Sequence, residues 1–346
     1  MSEFEAPLRL HIDGEALVAN WRYLKSQGQA DCGAAVKADG YGLGAREVVA
    51  RLCDAGCRNF FVAHWREAEA IADLVPPEWI TALNGIDAAD LPLVRGMGAV
   101  PALNTPKQIA YWKTAGGGRC HVMLDTGINR LGIGAEQVSS DLFEGLEVDI
   151  LMSHLASADQ DSDQNVRQLA LFHEQASFIG ARRRSLANSA GIMLGAKYHF
   201  DLTRPGLSLY GGVARPEMAA EIALVVRISS RIVQVRRLNA GDTVGYNATY
   251  ACVEPTTVAT LSIGYADGYL CGFSGTGTVS AGGTVLPVIG RISMDLITID
   301  ISAMPNFAEG DWVDVAYDLR EASRVSGLSQ YELLTSLGKR HERSWR

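Results

Sequence analysis

No stretch of this 346-residue chain runs for 18 apolar residues, which excludes a membrane-spanning helix. The N-terminus, MSEFEAPLRL, lacks the basic segment and following apolar run of a secretory leader, so a cytoplasmic protein is expected. A basic excess is also missing: 31 Lys and Arg stand against 39 Asp and Glu, a net charge of −8. Such a balance argues against nucleic acid or an anionic membrane as partner. The two densest basic runs have local explanations. RIVQVRR at 231–237 alternates as a strand with one wet face does, and Arg182 to Arg184 read as a helix end. The six cysteines, Cys32, Cys53, Cys57, Cys120, Cys252 and Cys271, form no CxxC pair and have no histidine at zinc-ligand spacing. Reduced thiols and no metal are therefore expected. Internal repeats and low-complexity segments are absent too.

What is present is a 47% hydrophobic composition, enough to bury a large core in two domains. Between residues 34 and 204 eight short apolar runs end in polar or small residues: AAVK, NFFVAH, WITALNG, AVPALNT, CHVMLD, DILMSH, SLANSA and HFDLTR. Most are followed by segments with apolar residues at three- and four-residue spacing, the mark of a helix with one buried face. Eight such alternations predict a (β/α)8 barrel. A doubly wound dinucleotide-binding sheet would also alternate, but no GxGxxG follows the first strand. After about residue 220 the period changes to two, with Gly-rich turns at 239–242, 275–277 and 282–283. The expected division is a barrel over 1–220 and a mainly β domain over 221–346. SQYELLTSLGKRHER reads as a closing helix that starts near Ser329 and ends near Gly338.

The segment AAVKADGYG at 34–42 places Lys37 at the C-terminal lip of the first strand, where barrels carry their chemistry. A half-buried lysine there can lose its proton and form a Schiff base with a carbonyl compound such as pyridoxal phosphate. The alternative is a strand-end lysine that points at water. The same lip should gather Arg130, His154, Ser189 and Arg204 from later strands. Ser189 and the Gly206-Leu207 pair lie after strands seven and eight, where barrels bind phosphate through backbone N–H groups. Singly, each has a structural reading as a core histidine, an ion-pair arginine or a helix cap. Convergence on one mouth favours a site.

Eight blocks of the chain, in order, resemble the alanine racemase family of pyridoxal-phosphate enzymes. They are AVKADGYG at 35–42, LDTGINRLG at 124–132, SHLASAD at 153–159, ANSAG at 187–191, RPGLSLYG at 204–211, GYNATY at 245–250, IGYADGY at 263–269 and GRISMD at 290–295. The resemblance implies interconversion of L- and D-alanine, with D-alanine used for peptidoglycan. It implies that Lys37 holds the cofactor, that Tyr41, Ser189, Gly206 and Leu207 surround its phosphate, that Arg204 faces the pyridine nitrogen and that His154 lies against the ring. Lys37 and Tyr246 would be the two bases on opposite faces of Cα, with Tyr246 reaching the site from the other subunit of a homodimer. A tyrosine of ordinary pKa, about 10, would be a poor base at neutral pH, so cationic neighbours or a shared hydrogen bond would have to favour its anion. Arg130 and the N–H of Met294 would hold the substrate carboxylate, and Tyr265, near Arg291 and Asp295, would narrow the entry.

The match departs from the family pattern at two places. In the family's Lys-x-Asp-Thr-Gly block the lysine, carbamylated in many members, supports the arginine. This chain has Met123 there, so Arg130 needs another partner: Asn129, a bound anion or the cofactor phenolate. Near the C-terminus some relatives have a phosphate-contacting tyrosine, whereas this chain has LGKRHERSW. Other readings are a serine or broad-specificity racemase, an amino-acid decarboxylase of the same plan, against which SMD and GYNATY argue, and a non-enzymatic cofactor carrier, which would lack the second domain.

Overall fold

The computed structural model describes residues 5–346; the first four residues, part of the stretch read for a leader, lie outside the described residues. Two compact units are present, one formed by Leu17–Ala223 and the other by residues 5–16 with Leu224–Arg346.

In Leu17–Ala223 eight parallel strand segments follow one another around a ring. The first is split at Gly33: Asp31–Cys32 pairs with Leu202–Thr203, and Ala34–Ala35 pairs with Phe60–Val62. The ladder continues through Ile80–Ala82, Val100–Leu103, Arg119–Met123, Glu147–Met152 and Ala181–Ser185. The Asp201 N–H donates to the Arg184 carbonyl at 3.0 Å and the Arg204 N–H to the Ala187 carbonyl at 2.8 Å, which closes the barrel. Gly33 is required at the split, because a Cβ there would lie 2.8 Å from the Asn59 carbonyl oxygen. Phe60, Phe61, Val62, Ile80 and Ala82 are buried, as strands covered on both faces must be, and this is why the runs read as continuous rather than alternating.

The seventh strand differs from expectation. It is Ala181–Ser185, sequence ARRRS, so Arg182 to Arg184 lie in a strand and not at a helix end. Most of the SLANSA run instead forms the lip and the turn Ser189–Ile192, capped by the Asn188 side chain, which accepts from the Gly191 N–H at 2.8 Å. An arginine can occupy such a strand because its charge is met. Arg183 donates to Asp149 at 2.9 Å and to Asn59 at 3.0 Å, and Arg119 binds the same Asp149 carboxylate. This polar cluster sits at the strand starts, opposite the lip that carries Lys37. Burial pushes the Asp149 pKa up, but the hydrogen bonds from Arg183 and Arg119 win and hold it at about 2.

The other unit is an antiparallel sheet closed on itself. Val226–Leu238 pairs along its first half with Trp312–Val315 and along its second with Thr256–Leu261, the register shifting between Ile232 and Gln234. Ile297–Asp300, Thr284–Ile289 and Thr278–Ala281 complete the ring. Leu8–Ile12 adds to it antiparallel to Val226–Ser230, and Glu342–Trp345 runs parallel to Leu8–Ile12. The expected barrel over 1–220 differs from the observed unit at its start and not at its end, which falls at Ala223. The segment before Leu17 belongs with the β unit, because its alternating strand, LRLHI, buries Leu8, Leu10 and Ile12 there. The closing helix is also shorter than expected. It begins after Ser329, whose hydroxyl accepts from the Glu332 N–H in a capping box, but covers only Gln330–Thr335. Gly338 then packs where a Cβ would sit 2.5 Å from the Ala266 carbonyl oxygen, and the chain turns into a final strand.

Candidate active site

Lys37 leaves the first barrel strand into a left-handed turn. Ala38, Asp39, Gly40 and Tyr41 all have φ between 53° and 62°, and only one of the four is glycine. Left-handed backbone costs an L-residue roughly 1–2 kcal/mol, so the turn persists only because its surroundings impose it. One oxygen of the Glu67 carboxylate accepts from the Ala38 N–H at 2.8 Å and the other from the Ala63 N–H at 2.7 Å. Asp39 accepts from the Ala45 N–H at 2.9 Å. The Tyr41 ring stacks on Tyr210 at 4.6 Å, and the Tyr210 hydroxyl donates to the Ala35 carbonyl at 2.8 Å. The Lys37 amine is half-buried. Burial and the nearby Arg130 lower its pKa, and Glu67 opposes them.

Tyr41, Ser189 and Gly206 come together across the mouth. The Ser189 hydroxyl oxygen accepts from the Gly206 N–H at 2.9 Å and from the Ser208 N–H at 3.2 Å. A Cβ on residue 206 would lie 2.2 Å from the Tyr41 hydroxyl oxygen, so only glycine leaves that hydroxyl in place. Leu207, buried, opens the single turn Leu207–Tyr210. Hydroxyls and backbone N–H groups at one spot are what a phosphate group needs.

Arg204 is 7% exposed and has no carboxylate partner among the described residues. Its guanidinium donates to the Ser185 hydroxyl and, at 2.6 Å, to the Ser153 carbonyl. Burial lowers its pKa to about 10, still charged at neutral pH. His154 is driven to about 3 by burial and by the charges of Arg204, Arg130 and Lys37, so its imidazole is neutral. Arg130 stands exposed on a loop whose shape is set by Asp125. That carboxylate accepts from the N–H groups of Gly127, Ile128, Asn129 and Arg130 at 2.8 to 3.2 Å. Met123 is buried at the strand end before this loop. Asn129, left-handed at φ 54°, makes no hydrogen bond to the Arg130 side chain. Three cations around a neutral imidazole, with Glu67 beside Lys37, leave the mouth positive and suited to an anionic ligand.

Several functional groups here carry no sequence signal. Glu67 lies in WREAEAIADLV, where it reads as a helix-surface acid, yet it fixes the Lys37 turn. Thr126, Ser153 and Gln168 form a buried polar chain behind His154 that only the fold assembles.

Tyr246, Tyr265 and Met294 belong to the β unit, at 69%, 40% and 53% exposure. Tyr246 follows Gly245, at φ 77°, and precedes left-handed Asn247 and Ala248. The Tyr265 N–H donates to the Ser293 carbonyl at 3.0 Å, and the Ala266 N–H to the Met294 carbonyl at 3.0 Å. This approach explains Gly264, where a Cβ would meet the Met294 carbonyl oxygen at 2.4 Å. Arg340 binds both oxygens of Asp267 at 2.7 and 2.9 Å and Asp295 at 2.7 Å, so the two loops share one arginine brace. Arg291, expected beside Asp295, has no part in this brace.

The family described as alanine racemase, N-terminal domain, matches residues 12–214, and its C-terminal domain matches residues 225–345. An alanine racemase of Methylobacterium nodulans is 41% identical, the alignment covering 97% of this chain and 95% of that protein. One from Jannaschia sp. is 40% identical over 97% of this chain and 98% of its own length. Among solved structures, alanine racemase from Bartonella henselae with covalently bound pyridoxal phosphate superposes with a TM-score of 0.93 at 35% identity, covering 99% of this chain and 100% of that one. The biosynthetic alanine racemase of Pseudomonas aeruginosa gives 0.90 at 30% identity, with the same coverage.

Proposed function

Because this chain belongs to the alanine racemase family, matched in both halves, we propose that it interconverts L- and D-alanine with pyridoxal phosphate held on Lys37. The observation that carries the reading is a buried arginine, Arg204, that faces only neutral acceptors and lies within electrostatic reach of His154, itself within reach of Lys37. The residues present fit the cofactor. Tyr41, Ser189, Gly206 and Leu207 would take its phosphate, Lys37 its aldehyde carbon, and Arg204 its ring nitrogen. When bound, the cofactor supplies a carbonyl for the substrate amine and a ring that takes up electrons released at Cα.

Arg204 keeps its own proton at neutral pH and can only donate a hydrogen bond, so it leaves the ring nitrogen unprotonated. With the cofactor bound, that would limit electron uptake and favour return of a proton to Cα over loss of the amino group. His154, neutral, can accept a hydrogen bond where a charged imidazolium could not. Arg130 orients the substrate carboxylate, with the N–H of Met294 as second donor.

Racemisation needs a base on each face of Cα: one removes the proton, and the other delivers one to the opposite side. Lys37, its proton affinity lowered by burial, serves one face. Tyr246 of a second copy serves the other, in a homodimer with composite sites. The exposure of Tyr246, Tyr265 and Met294 on their own unit supports this assignment. The enzyme would work in the cytoplasm, where the six free cysteines would stay reduced, and its product D-alanine would go into peptidoglycan synthesis.

Coupled detection of D-alanine formed from L-alanine tests the reading. The wild type should convert alanine in both directions and Lys37→Ala in neither; Tyr246→Phe should lose both directions alike, because the two enantiomers are equal in energy, while still exchanging the α-proton of one enantiomer with solvent faster than that of the other. A protein that binds the cofactor yet leaves alanine unchanged would refute it.

A further inference from the structure

We propose that Gln168 is a positioning residue of the site, a clamp that fixes His154 and the Arg130 loop relative to each other; the proposal rests on the racemase reading above. Gln168 belongs to the outer helix Asp163–Ala176, is fully buried, and is not among the residues that sequence motifs single out. Its amide nitrogen donates to the His154 carbonyl at 2.9 Å and to the Thr126 hydroxyl at 3.2 Å, and its amide oxygen accepts from the Ala156 N–H at 2.8 Å. All the bonds it needs are made inside the protein, so its orientation is set.

The consequence for His154 is specific. The carbonyl before it, on Ser153, is held by Arg204, and its own carbonyl is held by Gln168. Both peptide planes that flank the imidazole are thereby pinned, while the imidazole itself makes no hydrogen bond among the described residues. Through Thr126 the chain continues: its hydroxyl lies 2.8 Å from that of Ser153. Thr126 follows Asp125, the carboxylate that shapes the Arg130 loop. One step up the helix, Gln164 donates to the Gly127 carbonyl at 3.0 Å, so two glutamines at i and i+4 tie the same loop. Gln168 joins the loop after the fifth strand to the loop after the sixth, beside the direct Thr126–Ser153 hydroxyl contact. A misplacement of about 1 Å at such a point can cost on the order of a hundredfold in rate.

The test uses cofactor-loaded protein with Gln168→Met, which keeps side-chain length and removes all three bonds, and with Thr126→Val. We expect each to lower kcat/KM for alanine at least tenfold and to move the absorbance band of the Lys37-bound cofactor, whose surroundings include His154. The double variant should be little worse than the worse single one, because both break one chain. Thr126→Ser, which keeps the hydroxyl, should recover at least half of what Thr126→Val loses. Folded, loaded Gln168→Met with kcat/KM within twofold of wild type and an unmoved band would overturn the proposal, as would losses that simply multiply in the double variant. Should Gln168→Met fail to fold, Thr126→Val and Thr126→Ser measure the same link. If the wild type binds the cofactor but does not racemise alanine, the racemase reading fails, and the band shift alone then decides the clamp.

Discussion

Replacing Gly206 with alanine puts a methyl group where the Tyr41 hydroxyl stands. The Cβ would lie 2.2 Å from that oxygen, 2.9 Å from the ring carbon that bears it and 3.4 Å from the Ala35 Cβ. Relief requires the tyrosine hydroxyl to retreat by about 1 Å or more. The ring has little freedom to do so, because it stacks on Tyr210 at 4.6 Å and hangs from the left-handed turn after Lys37. Overpacking of this kind costs about 1–3 kcal/mol of stability. The hydroxyl would also leave the place proposed for the cofactor phosphate, and a hydrogen bond to a charged group is worth about 1.5–3 kcal/mol, or roughly ten- to a hundredfold in dissociation constant. Calorimetric unfolding of the cofactor-free protein reads the first effect, and spectroscopic titration with pyridoxal phosphate reads the second. The pair Gly206→Ala with Tyr41→Phe separates them: removing the hydroxyl leaves 2.9 Å as the closest approach, so stability should recover in part while affinity stays low. An unchanged melting temperature and an affinity within twofold of wild type for Gly206→Ala alone would refute this account of the cradle.

Two further predictions concern charge. Asp149 has a folded pKa of about 2, below its unfolded value near 4, so its stabilisation is complete above the unfolded pKa and disappears as pH falls through the folded one. Discounted for partial solvent access, the contribution is about 1–2 kcal/mol; urea midpoints measured between pH 5 and 2 should fall less steeply in Asp149→Asn than in wild type, and equal slopes would remove the carboxylate from the account. Glu67 raises the proton affinity of Lys37 against burial and Arg130, so Glu67→Gln should lower it further. The pH midpoint for acylation of Lys37 in cofactor-free protein should then move to lower pH, and a move upward would contradict the assignment.

How much of this was legible in the sequence depended on what buried each element. Strands covered on both faces announce themselves as apolar runs, and most of the barrel was readable for that reason. Ala181–Ser185 was not, because the carboxylates that balance two of its arginines, Asp149 for Arg183 and Glu147 for Arg182, come from a strand more than 30 residues earlier in the chain. Leu8–Ile12 alternates as a strand should, but nothing local says that its partner begins beyond residue 224. At the site, Lys37, Arg130, His154, Ser189 and Arg204 could be placed at one mouth because strand ends are countable. The left-handed geometry of Ala38 to Tyr41 could not be read, since only one residue there is glycine. Gln168 and Glu67 stayed hidden for a related reason: a polar side chain on a helix looks solvated until the loops it serves are folded over it.

The pairing of Leu8–Ile12 bears on how the chain is made. This strand leaves the ribosome early, yet its antiparallel partner Val226–Ser230 and its parallel partner Glu342–Trp345 arrive more than 200 residues later. At translation speeds of about 5–20 residues per second the wait lasts on the order of 10–40 s or longer. During that interval Leu8, Leu10 and Ile12 have no sheet to enter, while all of Leu17–Ala223 has been synthesised and can close its ring. A strand made before the barrel is thus among the last to find its place, and its short apolar face needs shielding until its partners arrive.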